Sequence, residues 1–385
     1  MDESLNLTPK EQPVALENAS KRLSIGLPAC NPHHDRRFPL TPEGVEILIE
    51  GGYDVNIERN ASAVIHYTDE DYTRRGAIIT DRSSVLASDV VISLVALSSS
   101  DIGRMRRNGV LLTLSDAIDN KIIRKVLDQR LTTVFLDLVR DKHGNLPVAD
   151  LLAEIDGRAA MMKANELLAD SCHGKGILIG GVSGVMPCET VILGGGIAAM
   201  AAAESAVGLG SIVRIFDNDV FALNKAACVM SGKACGLFPH PKVLRTALQT
   251  ADIIIVASTS IEWNDLSVLK SGVVVVDISN KPGNMFATLP VSDLLTDSPY
   301  KNKGRVCYVN AGKTVPRTIA MAFGSAIQPI FRRIMRGGKE IVEAVTSRKE
   351  WKHAVATLAG RVTCRELAER TGLPEVDINI FLNLS

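Results

Sequence analysis

The sequence predicts an α/β protein of two domains, each a parallel sheet covered by helices, joined by one long helix. Three observations lead there. Over residues 22–150 short β-branched runs alternate with helical stretches, and the same alternation restarts at residue 190. Between the two series, residues 150–169 carry apolar side chains at helical spacing. Strands separated by helices pair in parallel, because each crossover helix returns the chain to the same end of the sheet.

Each element has its own signal. Residues 1–21 are polar and read as a mobile N-terminal segment. Arg22-Leu23-Ser24-Ile25-Gly26-Leu27 opens the first strand. Thr41 and Pro42 start a helix as N-cap and first helical residue, and Gly51-Gly52 ends it. Residues 53–57 alternate as a strand; apolar runs follow at 77–80, 90–95, 110–114 and 133–138, with a helix at 120–129. A glycine- and serine-rich loop at 174–184 leads into strands at 190–193, 213–216, 253–256, 273–276 and 306–309. A helix over 316–335 returns across the domain junction, and the rest of the chain reads as helical, with a small helical pair around Thr363-Cys364-Arg365-Glu366.

Composition excludes several classes. The 385 residues suffice for two or three domains, and 46% hydrophobic with 22% charged residues is ordinary for a soluble globular protein. Lysine plus arginine equals aspartate plus glutamate at 43 each, so no broad electrostatic surface for nucleic acid is expected. No apolar run is long enough to span a membrane, and the polar N-terminus is not a secretory signal. Seven cysteines, odd in number and without CxxC spacing, fit a reduced cytoplasmic protein without disulfides. The histidines are dispersed apart from His33-His34, which reads as a solvated loop, so no metal is expected.

The sharpest chemical signal is Thr190-Val191-Ile192-Leu193-Gly194-Gly195-Gly196-Ile197-Ala198-Ala199: a buried strand, a GxGxxA turn and an alanine-rich helix. Gly194 permits the tight turn, and Gly196 lets a pyrophosphate approach the backbone. Ala199 keeps the helix close to the strand. Free amides in the first helical turn then face the phosphates. Asp217 ends the next strand, placed to accept the ribose hydroxyls of NAD and to repel a 2′-phosphate. Ser258, at the end of the strand at 253–256, is a further candidate contact. The second domain is therefore read as a Rossmann-type domain whose cofactor is NAD.

With that turn in place, the chain resembles the family of alanine dehydrogenase and the NAD-binding subunit of proton-translocating transhydrogenase. The resemblance is carried by Arg37-Phe38-Pro39-Leu40-Thr41-Pro42, Thr68-Asp69-Glu70-Asp71-Tyr72 and Ala153-Glu154-Ile155-Asp156-Gly157-Arg158. Gly180-Gly181-Val182-Ser183-Gly184-Val185, the glycine turn with Gly208-Leu209-Gly210, and Asn310 through Val315-Pro316-Arg317-Thr318 complete it. It implies two Rossmann-like domains with a substrate cleft between them. The implied division is a substrate-type domain at 22–157, an NAD-binding domain at 158–324 and, at 325–385, helices packing back on the first domain. It implies a small amino acid or 2-keto acid as carboxylate substrate, and a homo-oligomer. Arg37 falls on the family's carboxylate-binding arginine, and a bidentate guanidinium suits that task. Asn310 falls beside the nicotinamide or substrate.

Other positions depart from the family. Val95 stands where its catalytic lysine is expected, Asp116 where its histidine is, and Lys281 where its aspartate is; Ala153 replaces a serine that touches cofactor phosphates. Histidine cycles protons near neutral pH, whereas an aspartate needs a strongly raised pKa to do so. Three readings stay open. The first is an NAD-dependent oxidoreductase with an altered site, in which Lys281 reaches the cleft and Asp116 acts as acid and base. The second is a catalytically degenerate NAD-binding protein with a regulatory or assembly role. The third is an NAD-binding component of a hydride-transferring assembly.

Overall fold

The computed structural model describes residues 22–169, 174–229, 232–297, 305–335 and 349–382; the segment 1–21, expected to be mobile, lies outside them. In the first domain the strands are β1 (Ser24–Leu27), β2 (Asp54–Glu58), β3 (Ile78–Thr80), β4 (Val90–Ile92), β5 (Val110–Thr113) and β6 (Thr132–Phe135). All pair in parallel, in the order β6-β5-β4-β1-β2-β3. The second domain holds β7 (Glu189–Leu193), β8 (Ile212–Phe216), β9 (Ala234–Leu237), β10 (Ile253–Val256), β11 (Val274–Asp277), β12 (Val291–Asp293) and β13 (Cys307–Val309). Its order is β12-β13-β11-β10-β7-β8-β9, again parallel throughout. In both sheets the chain first runs outward to one side and then jumps back to the other. This is the doubly wound arrangement, and ligands bind where that reversal opens a crevice at the strands' carboxyl ends.

The first helix begins as its sequence dictates. Thr41 accepts a hydrogen bond from the Gly44 amide, and Pro42 occupies the first turn of Pro42–Glu50. The linking helix spans Pro147–Leu168. Its early residues Val148 and Ile155 join the first domain's core; Ala159, Ala160, Met161, Ala164, Leu167 and Leu168 join the second's. Asp156 and Gly157 therefore lie at the seam between the two cores. The helix Pro316–Met335 returns to the first core through Ile319, Ala320, Phe323 and Ile327.

The end of the chain corrects the helical reading. Two strands, β14 (Val355–Leu358) and β15 (Arg361–Val362), extend the first sheet, with β14 antiparallel to β6. Val355, Ala356 and Thr357 are fully buried, and Leu358 nearly so. A short strand buried on both faces shows no alternation to distinguish it from helix. The Thr357 hydroxyl donates to the Leu131 carbonyl and anchors the pairing. The expected helical pair follows these strands as the helix Arg365–Thr371 and the short helix Asn379–Leu382. No helix among the described residues is long and apolar enough to cross a membrane.

Candidate functional site

The glycine turn sits at the reversal of the second sheet, where β7 lies between β8 and β10. Gly194 has φ +121°, a left-handed conformation that glycine adopts without strain. A Cβ on it would lie 2.9 Å from the Ser258 Cβ, so the turn and the loop after β10 are in contact. Gly196 caps the helix Ile197–Gly208 with no side-chain hydrogen bond, and a Cβ there would meet nothing within 4 Å. The helix's first amides have no intrahelical acceptor and open onto that space. Ala199 is fully buried. Asp217 closes the turn from β8: its Oδ2 accepts the Gly195 amide at 2.5 Å and its Oδ1 the Asp219 amide at 2.7 Å. An open glycine cradle beside a helix N-terminus, with a carboxylate across it, fits the pyrophosphate and ribose of NAD.

Gly157, missed as a functional position by sequence reasoning, holds this helix in place. A Cβ on it would come within 2.1 Å of the Ala198 carbonyl and 2.9 Å of the Ala202 amide. The linking helix thus packs backbone against backbone onto the cofactor helix. Its glycine in Ile155-Asp156-Gly157 was the available signal.

The second half of the site is charged and lies at the seam. Arg37 is 8% exposed and bonds two carboxylates. Its Nε and Nη2 grip Asp35, and Nη2 also donates to Asp116 Oδ2 at 2.9 Å. Burial works against the guanidinium's charge, but Asp116 and Asp35 outweigh it and push its pKa further up. Asp35 is likewise opposed by burial but held below the usual carboxylate range by Arg37 and Lys313. Lys313, on the turn Gly312–Thr314 that follows Asn310, reaches Asp35 Oδ2 at 3.3 Å.

Asp156 completes the cluster. Burial pushes its carboxyl up to about 6, with Asp116 adding to the rise and Arg37 and Lys313 opposing it. Its Oδ1 lies so close to Gly312 that a Cβ there would meet it at 1.8 Å. Asp116 itself is presented by the turn Ser115–Ala117. The Ser115 amide donates to Asp137 at 2.9 Å and its hydroxyl at 2.5 Å, pinning that turn to the end of the first sheet.

The structure also sets the remaining candidate residues in their surroundings. Asp116 does not answer Lys281: its carboxylate is on Arg37, and Lys281 is an exposed side chain in the loop after β11 with no ion pair among the described residues. The physical reason is proximity to a buried cation that needs neutralising. Asn310 follows β13 at φ +63°, and its Nδ2 donates to Asp293 Oδ2 at 2.8 Å. Its amide is therefore oriented by the neighbouring β12. Val95 is 8% exposed and brings no charge to the cleft. Asp35, Lys313 and Asp156 were not singled out from the sequence. Asp156 and Lys313 lie within quoted motifs and Asp35 beside one, but only tertiary packing gathers them.

With this geometry in hand, comparison with known proteins is informative. Models of the N-terminal and C-terminal domains described as alanine dehydrogenase/PNT match residues 26–156 and 160–365. Alanine dehydrogenase of Staphylococcus saprophyticus subsp. saprophyticus is 28% identical over 370 residues, covering 93% of this chain and 99% of that protein. Alanine dehydrogenase 2 of Staphylococcus aureus is 28% identical over 359 residues, covering 90% and 96%. Among solved structures, an L-alanine dehydrogenase superposes with a TM-score of 0.78 at 23% identity, covering 94% of this chain and 100% of that one. A transhydrogenase from Sinorhizobium meliloti gives 0.70 at 18%, covering 90% and 100%. At these identities the structures speak for the fold.

Proposed function

The chain belongs to the alanine dehydrogenase/PNT family, and from that premise we propose that it is an NAD-dependent oxidoreductase of a small amino acid or 2-keto acid, with an altered active site. The observation that carries the reading is the open cradle at Gly196 facing Asp217 across the reversal of the second sheet. NAD would be held there by the helix amides and by Asp217, with Ser258 beside the turn. Bound, it supplies a hydride acceptor or donor. The carboxylate beside the cradle favours NAD over NADP, because a 2′-phosphate there meets like charge.

Arg37 is the group for the substrate carboxylate. The bonds to Asp35 and Asp116 use Nε and Nη2, so Nη1 remains as the edge a carboxylate can take. Lys313 provides a cation at the seam, the charge that Val95 does not provide. Asn310, set by Asp293, lies at the same end of the second sheet. Asp116 acts through Arg37 and fixes its orientation. The exposed Lys281 has no part in this arrangement. A homo-oligomer, the family's habit, fits this reading, as does a cytoplasmic location.

One observation favours a second reading, an NAD-binding protein that does not turn over: Arg37 already holds two carboxylates. Mixing the protein with NADH, ammonia or amines, and a panel of 2-keto acids separates the two. Loss of NADH absorbance with at least one of them is the expected result. NADH binding without turnover on any of them would overturn the oxidoreductase reading.

A further inference from the structure

Resting on the NAD reading above, we infer that the Ser279 hydroxyl holds the carboxamide of the bound nicotinamide and selects that amide over the corresponding acid. Ser279 is 8% exposed, and its Oγ is buried without a hydrogen-bond partner among the described residues. A hydroxyl left so destabilises the free protein until a ligand supplies the bond. The other such atom among the described residues, Thr133 Oγ1, lies in the middle of β6 and not at a strand end. The backbone around Ser279 is fixed. β11 ends at Asp277, itself 1% exposed, whose Oδ1 accepts the Ser279 amide at 2.9 Å and whose Oδ2 accepts the Gly283 amide at 2.8 Å. The loop thus folds around one carboxylate, with Ser279 buried and Asn280 and Lys281 exposed. The serine hydroxyl turns on a single bond, and turning it towards a ligand breaks no hydrogen bond.

Register sets this serine on the nicotinamide side. Phe216, Leu193, Val256 and Asp277 lie level across β8, β7, β10 and β11. Asp217 and Gly194 stand one residue past that row, the places proposed for the adenosine ribose and the pyrophosphate. Ser258 and Ser279 each stand two residues past it on neighbouring strands, and Ser258 lies against the glycine turn. From β8 to β11 is three strand spacings, roughly 14 Å. That is the reach of an extended dinucleotide. With one ribose at Asp217 and the pyrophosphate at the glycine turn, the nicotinamide falls over the ends of β10 and β11. A carboxamide offers both an N–H donor and a carbonyl acceptor, so it satisfies a hydroxyl in either sense. An acid group in its place would set a second carboxylate beside that of Asp277.

The test is calorimetric titration of the full chain with NAD, with its nicotinic acid counterpart and with ADP-ribose, in wild type and Ser279→Ala. ADP-ribose takes the same cradle but has no pyridine ring. Wild type should bind NAD about fivefold or more tightly than the nicotinic acid form. Ser279→Ala should lose about fivefold in affinity for NAD, the size of one neutral hydrogen bond, and stay within about twofold for ADP-ribose. Its preference for the amide over the acid should narrow. Its melting temperature without ligand should not fall, because the deleted hydroxyl has no partner among the described residues. An equal loss for NAD and ADP-ribose, no loss for NAD, no wild-type preference for the amide, or a fall in melting temperature would overturn the inference. Any of these results with ADP-ribose still bound leaves the NAD reading standing. If wild type binds neither NAD nor ADP-ribose, that reading falls and the inference with it.

Discussion

The two halves of the site are made of different material. At the glycine turn the groups that face a ligand are backbone: Gly194 in a left-handed conformation, Gly196 beside open space, and the first amides of Ile197–Gly208. At the seam they are side chains, with Asp35, Arg37, Asp116, Asp156 and Lys313 drawn from separate segments of both domains. The cradle exists as soon as one strand, turn and helix form. The charged cluster gathers segments distant in the chain, and Lys313 joins it only when the two domains pack. The cradle also places no buried charge at risk, whereas the cluster holds a carboxyl that folding disfavours. Function at the seam thus comes at the expense of stability, which is where functional sites commonly depart from the best packing.

That contrast can be broken or sharpened by substitution. The largest effect is expected at Arg37. Arg37→Met removes the cation that two carboxylates share, and should lower unfolding stability by ~3 kcal/mol at pH 7.5, read from the urea midpoint. An effect near zero would mean that the cluster is as well solvated as an ordinary surface pair.

Gly157→Ala comes next, at ~2 kcal/mol or more, because its Cβ meets unyielding backbone. Gly312→Ala meets the Asp156 carboxyl first, at 1.8 Å, and that residue's Cα at 3.3 Å. Its smaller cost should largely vanish when Asp156→Ala is present as well, as a double-mutant cycle would show. Equal costs for the two glycines would erase the distinction between a backbone contact and a side-chain contact.

Asp156→Asn should be stabilising, by ~1–2 kcal/mol at pH 7.5, given ~1.4 kcal/mol per tenfold change in proton affinity and some access of water. The sign follows from the direction of the shift. Folding raises this carboxyl from 3.8 to about 6, so the folded state favours the protonated form and loses stability as pH climbs through that window. The gain from the variant should therefore be full above pH 6 and absent below about pH 4. A gain independent of pH would assign the effect to packing.

The smallest effect on stability belongs to Gly196→Ala, within ~0.5 kcal/mol, because the added methyl group enters open space and φ is already −73°. That same methyl fills the cradle, so NADH affinity should fall by about tenfold or more, equal to ~1.4 kcal/mol.

The difference between the halves also explains what could be read from the sequence. Gly194, Gly196, Ala199 and Asp217 follow one another along a single βαβ unit, so their spacing alone specifies a geometry. Arg37 was legible through the Leu40-Thr41-Pro42 that follows it. Val95 and Asp116 stand out in the sequence only through what the resemblance implies, and no local pattern tells what surrounds them. Lys313 and Asp156 reach the cleft only through the way the linking helix lies between two cores, a rotation that no local pattern encodes. Lys281, which chain position suggested as the compensating cation, stays exposed in its loop. The strand Val355–Leu358 escaped for a different reason: four residues buried on both faces carry no period.

The most direct test of the division between the halves is a side-by-side calorimetric titration of NADH into wild type, Gly196→Ala and Asp156→Asn. Wild type and Asp156→Asn should bind alike, and Gly196→Ala should bind about tenfold or more weakly. If Asp156→Asn loses as much affinity as Gly196→Ala, the cradle and the seam are one site, and the separation of cofactor binding from substrate chemistry is wrong.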